Sequence, residues 1–336
     1  MKKKHRRSSP EIEDLDKDPT DRRHDRLIDR HDLKQGALVS TGDKEYRKTY
    51  DEVFNDSTLK TIYRLFQRRV LDSLEHPIST GKEANVFLGY VIEKTHVDIE
   101  APQSNGPAAM PESNEPHDGG VEGGDEPQDL IDDADEGSQN EPDESGKVRV
   151  AVKIFRESTT TFRKVRPYIE GDPRFKQIMK GRRGIVSIWT KKEFKNLKRM
   201  ENAGVRVPSP HAVDRNILIM DYLGNEIKPA LTLRQWCLEH RYDDNFHHRI
   251  SKLCDEIIEE MRKINVDAGL VHSDLSEFNI LIFNDLPYII DVGQAVVHSH
   301  PMSGEFFERD VRNIAAFFSK MGVEITPKSI LEKIAQ

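Results

Sequence analysis

The sequence predicts an α+β fold built as one large domain or two lobes, and three observations carry that prediction. β-rich, partly alternating runs come early, at residues 85–91 and 148–155. Helical periodicity dominates later, at 188–201, 231–240, 246–265 and 306–321. Two highly polar segments, once set aside, leave a remainder of ordinary globular composition.

The polar segments explain an unusual average. The 336 residues are 36 % apolar and 33 % charged, with a formal net charge of −8. Residues 1–50 are almost purely charged and polar; they cannot bury enough apolar surface to offset the entropy of ordering, so a disordered tail is expected. Its basic start (MKKKHRR) reads as a solvated tail, with nucleic-acid contact as the alternative. Residues 96–147 are rich in Asp, Glu, Pro, Gly, Ser and Asn and poor in Lys and Arg, the composition of an acidic disordered insertion. Such an insertion costs little, because closure entropy grows only logarithmically with length. It supplies most of the negative charge. The rest is basic, most densely between Lys153 and Arg206, which suits an anionic ligand such as a nucleotide, RNA or a ribosomal surface.

The two cysteines, Cys237 and Cys254, have no metal-ligand spacing and argue against a disulfide framework, so a reducing, cytoplasmic setting is expected. The basic N-terminus is not followed by an apolar signal region, and no apolar run is long enough to span a bilayer. No membrane partner is expected.

In chain order, Leu59, Ile62, Tyr63, Phe66, Val70, Leu71 and Leu74 recur at helical spacing, with Asp56 or Ser57 as the N-cap. A strand–turn–strand unit follows, through Ser79-Thr80-Gly81-Lys82-Glu83-Ala84. After the acidic insertion comes the apolar strand at 148–155. The basic stretch 156–184 gives no clear signal. The helix at 188–201 ends at Ala203-Gly204, a stop signal. A strand is expected near 215–220, and short strands at 270–271, 280–282 and 288–290, between the later helices.

Three motifs carry chemistry. The strongest is Val271-His272-Ser273-Asp274-Leu275-Ser276-Glu277-Phe278-Asn279, followed by Asp291-Val292-Gly293. Phosphoryl transfer needs a carboxylate to orient or deprotonate the attacking hydroxyl, and oxygen ligands that hold Mg²⁺ against the phosphates. Asp274 fits the first role; Asn279 and Asp291 fit the second. Each alone is a common turn or core residue, but at kinase spacing the combination is specific. The second motif, Ala151-Val152-Lys153 on a strand, places a lysine for nucleotide phosphates; Glu193 on the following helix is its expected partner, and Glu201 a weaker candidate. The third, the turn at 79–84, lacks the first glycine of a P-loop and has Glu83 where Ser or Thr would stand. Its backbone amides and the Ser79 and Thr80 hydroxyls suit a phosphate cradle.

Together, STGKEANVF, VAVKIF, LVHSDLSEFNIL, IIDVGQAV and the EFFERDVRN tail resemble the RIO family of atypical serine/threonine kinases, and the STGKEA turn points to its first branch. The resemblance spans roughly residues 53–322 without the insertion. It implies a two-lobed protein-kinase-like fold, with a small sheet-rich N-lobe at 51–95 and 148–220 and a reduced helical C-lobe at 221–336. ATP and Mg²⁺, with Mn²⁺ as an alternative ion, would lie between the lobes. Carried over by position, Asp274 is the catalytic base, Lys153 contacts the phosphates, Asn279 and Asp291 bind metal, and Ser79 sits at the phosphate loop. The backbone of Asp221 and Leu223 would bond adenine at the hinge. Asp291 would also accept the phosphoryl group as an aspartyl-phosphate. The stretch 159–184 would match a mobile loop of that family.

The chain departs from ordinary kinases in having Asp-Val-Gly for Asp-Phe-Gly, and no Ala-Pro-Glu after it. That weakens the case for a peptide-seating segment and leaves three functions open. One is a protein kinase that phosphorylates itself or a protein partner. Another is an ATPase switch on pre-ribosomal small-subunit particles or their rRNA. A remote third is a small-molecule phosphotransferase. A scaffold that only binds ATP is disfavoured, because Lys153, Asp274, Asn279 and Asp291 are all intact.

Overall fold

The computed structural model describes residues 53–92, 146–157, 167–169, 171–175, 182–226 and 228–335. The charged tail, the acidic insertion and much of the stretch 159–184 lie outside these residues.

Helix α1 (Asp56–Gln67) precedes a five-stranded antiparallel sheet of β1 (Ser73–Thr80), β2 (Ala84–Ile92), β3 (Lys147–Phe155), β4 (Pro210–Asp214) and β5 (Ile217–Asp221), in the order β1-β2-β3-β5-β4. Its central strand, β3, is apolar on both faces because both are covered. Successive side chains alternate across a strand. Val150, Val152 and Ile154 therefore pack with Ile62 and Leu65 of α1, while Ala151 and Phe155 join the larger core with Trp189 and Leu197 of α2 (Arg182–Asn202). Lys153 shares that second face, toward the cleft.

Polar contacts, buried at Asn216 and partly buried at Arg64, fasten α1 to the sheet. Asn216 Nδ2 donates to Thr58 Oγ1 and to the Phe155 carbonyl, both at 2.9 Å, and Arg64 pairs with Asp214 at 2.8 Å. The N-cap is Asn55, one residue earlier than expected: its side chain accepts from Thr58 N at 3.0 Å. Asp56 instead occupies the first turn, where its charge favours the helix N-terminus.

The second lobe contains α3 (Leu233–His240), α4 (Phe246–Arg262), α5 (Ser303–Lys320) and α6 (Pro327–Ile334). With them go a sheet of β6 (Leu231–Thr232), β8 (Ile280–Phe283) and β9 (Leu286–Ile289), and a pair of β7 (Leu270–Val271) with β10 (Val296–Val297). Several boundaries differ from expectation. The region from 231 opens with two strand residues, and Thr232 and Gln235 form a capping box for α3. α4 ends at Arg262 and continues as a π-helical turn, Lys263–Asp267. α2 begins at Arg182, in a basic, glycine-containing run with no apolar period, and β4 was not anticipated because it is short and opens on a proline.

The end of α2 is tied to the second lobe. Arg206 N donates to Glu260 Oε2 at 2.8 Å, its guanidinium pairs with Glu260 Oε1 at 2.8 Å, and its carbonyl accepts from Ile289 N at 2.8 Å. Lys263 Nζ donates to the Gly204 carbonyl at 3.0 Å.

Gly89 tests the packing of the sheet. A Cβ there would lie 2.8 Å from Val152 Cγ2 and 3.0 Å from the Ser73 carbonyl. Gly89→Val is therefore expected to cost about 1–3 kcal/mol by overpacking, read in a thermal melt. A Tm equal to the parent's would mean that the sheet yields at this point.

Candidate active site

The cleft is organised around Lys153. Strand alternation aims its side chain between the lobes, where Nζ donates to Glu193 Oε1 at 2.6 Å and to Asp291 Oδ1 at 2.9 Å. Glu193 comes from the middle of α2, and Asp291 from the loop after β9. Burial opposes the lysine's charge, but Asp291 and Glu193 outweigh it and hold Lys153 above its ordinary value. Burial pushes Glu193 up to about 6 against the pull of Lys153. Asp291 goes the other way, held low chiefly by Lys153. Its side chain keeps 54 % of its surface open, against 1 % for Glu193. Glu201 is exposed near the end of α2 and takes no part.

Asp274 lies on the loop after β7. Asp310 of α5 accepts from the Ser273 and Leu275 amides, at 2.7 and 2.9 Å, and so clamps both sides of Asp274. Arg309 donates to the Ser273 carbonyl, and Asn313 to that of Leu275 at 3.2 Å. Ser273 is left-handed, with φ 70°, a strained conformation that such a set of clamps can hold. Asn279 Nδ2 donates to the Asp274 carbonyl at 2.8 Å and reaches Asp274 Oδ2 at 3.5 Å, which turns its own Oδ1 away from Asp274. Gln294 Nε2 donates to Asp274 Oδ2 at 3.1 Å. Burial, then the charge of Asp291, pushes the Asp274 carboxyl up. Two carboxyls in one cleft are thus shifted in opposite directions, Asp274 upward by burial and Asp291 downward by Lys153, the kind of divergence that lets paired carboxyls take different roles.

Asp291 is also left-handed, with φ 60° and ψ 48°, and opens a 3₁₀ turn, Val292–Gln294. α2 grips this turn through polar groups. Lys192 Nζ donates to the Gly293 carbonyl at 2.9 Å and to that of Ala295. Asn196 Nδ2 donates to the Val292 and Ala295 carbonyls at 2.8 and 3.1 Å. The turn approaches α2 so closely that a Cβ on Gly293 would meet Trp189 at 3.1 Å and Glu193 Oε2 at 3.2 Å.

The remaining expected residues lie at the edges. Ser79 is on β1, exposed and paired with Val86, beside rather than within the turn at 81–83. Asp221 ends β5, where its carboxylate meets His211 Nε2 at 2.7 Å and its amide donates to the Ser209 carbonyl at 2.9 Å. Leu223 gives its carbonyl to Ala230 N at 2.8 Å. Both lie in the segment joining the lobes. Sequence reasoning missed Lys192, Asn196, Gln294 and Asp310. The first two were hidden in a lysine-rich run; Arg309, Asp310 and Asn313 do sit at i, i+1 and i+4 on one helix, a readable face.

Residues 136–330 match the RIO domain family. A RIO-type serine/threonine-protein kinase Rio1 from Haloferax volcanii is 35 % identical, over 96 % of this chain and 87 % of that protein. The Rio1 of Thermoplasma acidophilum is 43 % identical, over 56 % of this chain and 95 % of its own. Among solved structures, the Rio2 kinase–ADP/Mg²⁺–phosphoaspartate complex from Chaetomium thermophilum superposes with a TM-score of 0.50 at 19 % identity, covering 83 % of this chain and 67 % of that one. At that identity the likeness speaks for the two-lobed kinase fold.

His272 supplies a pH test. It is buried, its Nε2 meets the Ile290 carbonyl at 3.1 Å, and its Nδ1 finds no partner among the described residues. Burial pushes it from 6.5 down to about 4. Below pH 6.5 the unfolded chain takes up a proton that the folded one refuses, so stability falls from there down to about 4, at up to roughly 1.4 kcal/mol per pH unit. Denaturant unfolding at neutral and mildly acid pH should show a smaller acid loss for His272→Gln than for the parent. An equal loss would assign the acid sensitivity to another group.

Proposed function

The chain belongs to the RIO kinase family, and on that footing we propose that it is an ATP-dependent serine/threonine protein kinase of the first, STGKEA-turn branch. The observation that carries the mechanism is the geometry of the cleft, where Lys153 bonds Asp291 at 2.9 Å and Glu193 at 2.6 Å while Asp274 is held on its own clamped loop; Lys153 holds Asp291 low, and burial pushes Asp274 up. Asp274 receives the proton of the acceptor hydroxyl as its oxygen bonds the γ-phosphorus. The bond from phosphorus to the β–γ bridging oxygen breaks, and its electron pair leaves with ADP. Lys153 contacts the nucleotide phosphates, and Glu193 keeps its ammonium in place. Ser79 and the following turn lie over the phosphates, and the backbone of Asp221 and Leu223 receives adenine.

The donor set fits Mg²⁺, with Mn²⁺ as the alternative. The Asp291 carboxylate and the Asn279 carbonyl oxygen are hard ligands, and Asn279 has its nitrogen committed to Asp274. Bound there, the ion would neutralise phosphate charge. The exposed Asp291 carboxylate is also our candidate for a transient aspartyl-phosphate.

The acceptor is a serine of the chain itself or of a partner, and we place the activity in small ribosomal subunit maturation. The basic residues between Lys153 and Arg206 support contact with rRNA or a pre-ribosomal particle. One observation favours a second reading, an ATPase switch on such particles. Between Gly293 and α5 the described residues form only the end of a 3₁₀ turn, the two-residue β10 and two tight turns around a bend, leaving little to seat a peptide.

Turnover of γ-labelled ATP, with and without small ribosomal subunits, separates these readings. Asp274→Ala is expected to lower turnover at least about a hundredfold with nucleotide affinity nearly intact, and Asp291→Ala to abolish it. Label appearing on serine marks a protein kinase. Free phosphate that rises with subunits, with little labelled protein, marks the switch. Asp274→Ala turning over at the parent rate would refute the assignment of the base.

A further inference from the structure

We propose that Gln294 is a positioning residue for the base, its carboxamide fixing one oxygen of Asp274 so that the other faces the acceptor hydroxyl. The inference rests on Asp274 being the base, and it concerns what holds that carboxylate still.

A carboxylate at the end of a short side chain turns readily, because its terminal torsion is broad and roughly two-fold. A proton acceptor that turns away from the hydroxyl is not in attack geometry. Among the described residues, two side-chain amides reach Asp274. Asn279 does so at 3.5 Å, the limit of a hydrogen bond, and makes its shorter bond, 2.8 Å, to the main-chain carbonyl. Gln294 donates at 3.1 Å to the same oxygen, Oδ2. Both anchors fall on Oδ2, and Oδ1 is left for the nucleophile.

Gln294 can serve as an anchor because its own backbone is held. It closes the 3₁₀ turn that Asp291 opens, and the carbonyls before and after it are bound from α2. Gly293 O accepts from Lys192 at 2.9 Å, and Ala295 O from Lys192 and from Asn196, the latter at 3.1 Å. Lys192 and Asn196 are fully buried, so releasing the turn would strand polar groups without water. One rigid turn therefore carries a carboxylate of the cleft at its start and the anchor of the base at its end, and their spacing is set by the backbone.

The residue type agrees with the task. A neutral amide donates without cancelling the charge that makes Asp274 basic, as Lys or Arg would. Glu in its place would set a like charge against Asp274, and Asn would be one methylene short.

The test compares the full chain with Gln294→Met, which keeps length and removes the donor, and with the isosteric Gln294→Glu. In the γ-labelled ATP assay we expect kcat to fall roughly tenfold to hundredfold in both. KM for ATP should stay within about twofold, and the melting temperature should match the parent's. If the Met variant does not fold, the Glu variant carries the test. A kcat within about twofold of the parent in the folded variants would overturn the proposal. So would KM and melting temperature moving in step with kcat, which marks a structural role. A parent that shows no turnover would instead refute the kinase reading itself, independently of Gln294.

Discussion

The cleft depends on one shared cation. Lys153 sits on the central strand of the sheet and divides its ammonium between Glu193 of α2 and Asp291 of the second lobe, at 2.6 and 2.9 Å. A buried ion pair gains little net free energy over an apolar pair of the same shape, yet losing one partner leaves a charge with no solvent. Here Glu193 is almost wholly buried, and its Oε2 has no hydrogen-bond partner among the described residues. The arrangement thus tolerates only the assembled state, in which sheet, helix and loop are all in place. Its more open member, Asp291, is the one that faces the cleft, where an ion or a phosphate can share the lysine.

Around that contact the chain builds two polar platforms. α2 supplies Lys192, Glu193 and Asn196, neighbouring residues on one helix that hold Lys153 on one side and the turn after Asp291 on the other. Val292 is fully buried in the main core, and carbonyl hydrogen bonds to Lys192 and Asn196 add polar anchors to that packing. Burial pushes Lys192 down to about 7, with Asp172 pulling the other way, a cost that the helix bears to keep the turn in register. α5 is the second platform. Arg309, Asp310 and Asn313 together bind the backbone on either side of Asp274. Burial pushes Asp310 up to about 7 although it accepts two amide protons, so it too is a group held at a cost for position.

Legibility followed the kind of signal. β3 was readable because apolar character on both faces and β-branched residues survive in any context, and Lys153 stands out on it as the cation flanked by apolar residues, Val152 and Ile154. The spacing from His272 through Asn279 to Asp291 was readable because backbone loops of fixed length place these side chains together. Boundaries were less so. Asn55 displaced Asp56 as N-cap since an Asx side chain one residue earlier reached Thr58 N. The basic start of α2 had no apolar period, and the π turn after α4 is a hydrogen-bond shift that no residue pattern marks.

By itself the sequence determined the α+β class, the strand that carries Lys153, the phosphoryl-transfer motifs and the likeness to RIO kinases, because each depends on local period or short spacing. Only the tertiary structure decided which glutamate faces Lys153, that the two cleft carboxyls are driven apart, and that Lys192, Asn196, Gln294 and Asp310 are parts of the site. Those roles depend on burial and on hydrogen bonds between residues far apart in the chain. Lys192 and the carbonyl it binds in Gly293 share no local pattern; the packing of α2 against the second lobe brings them together.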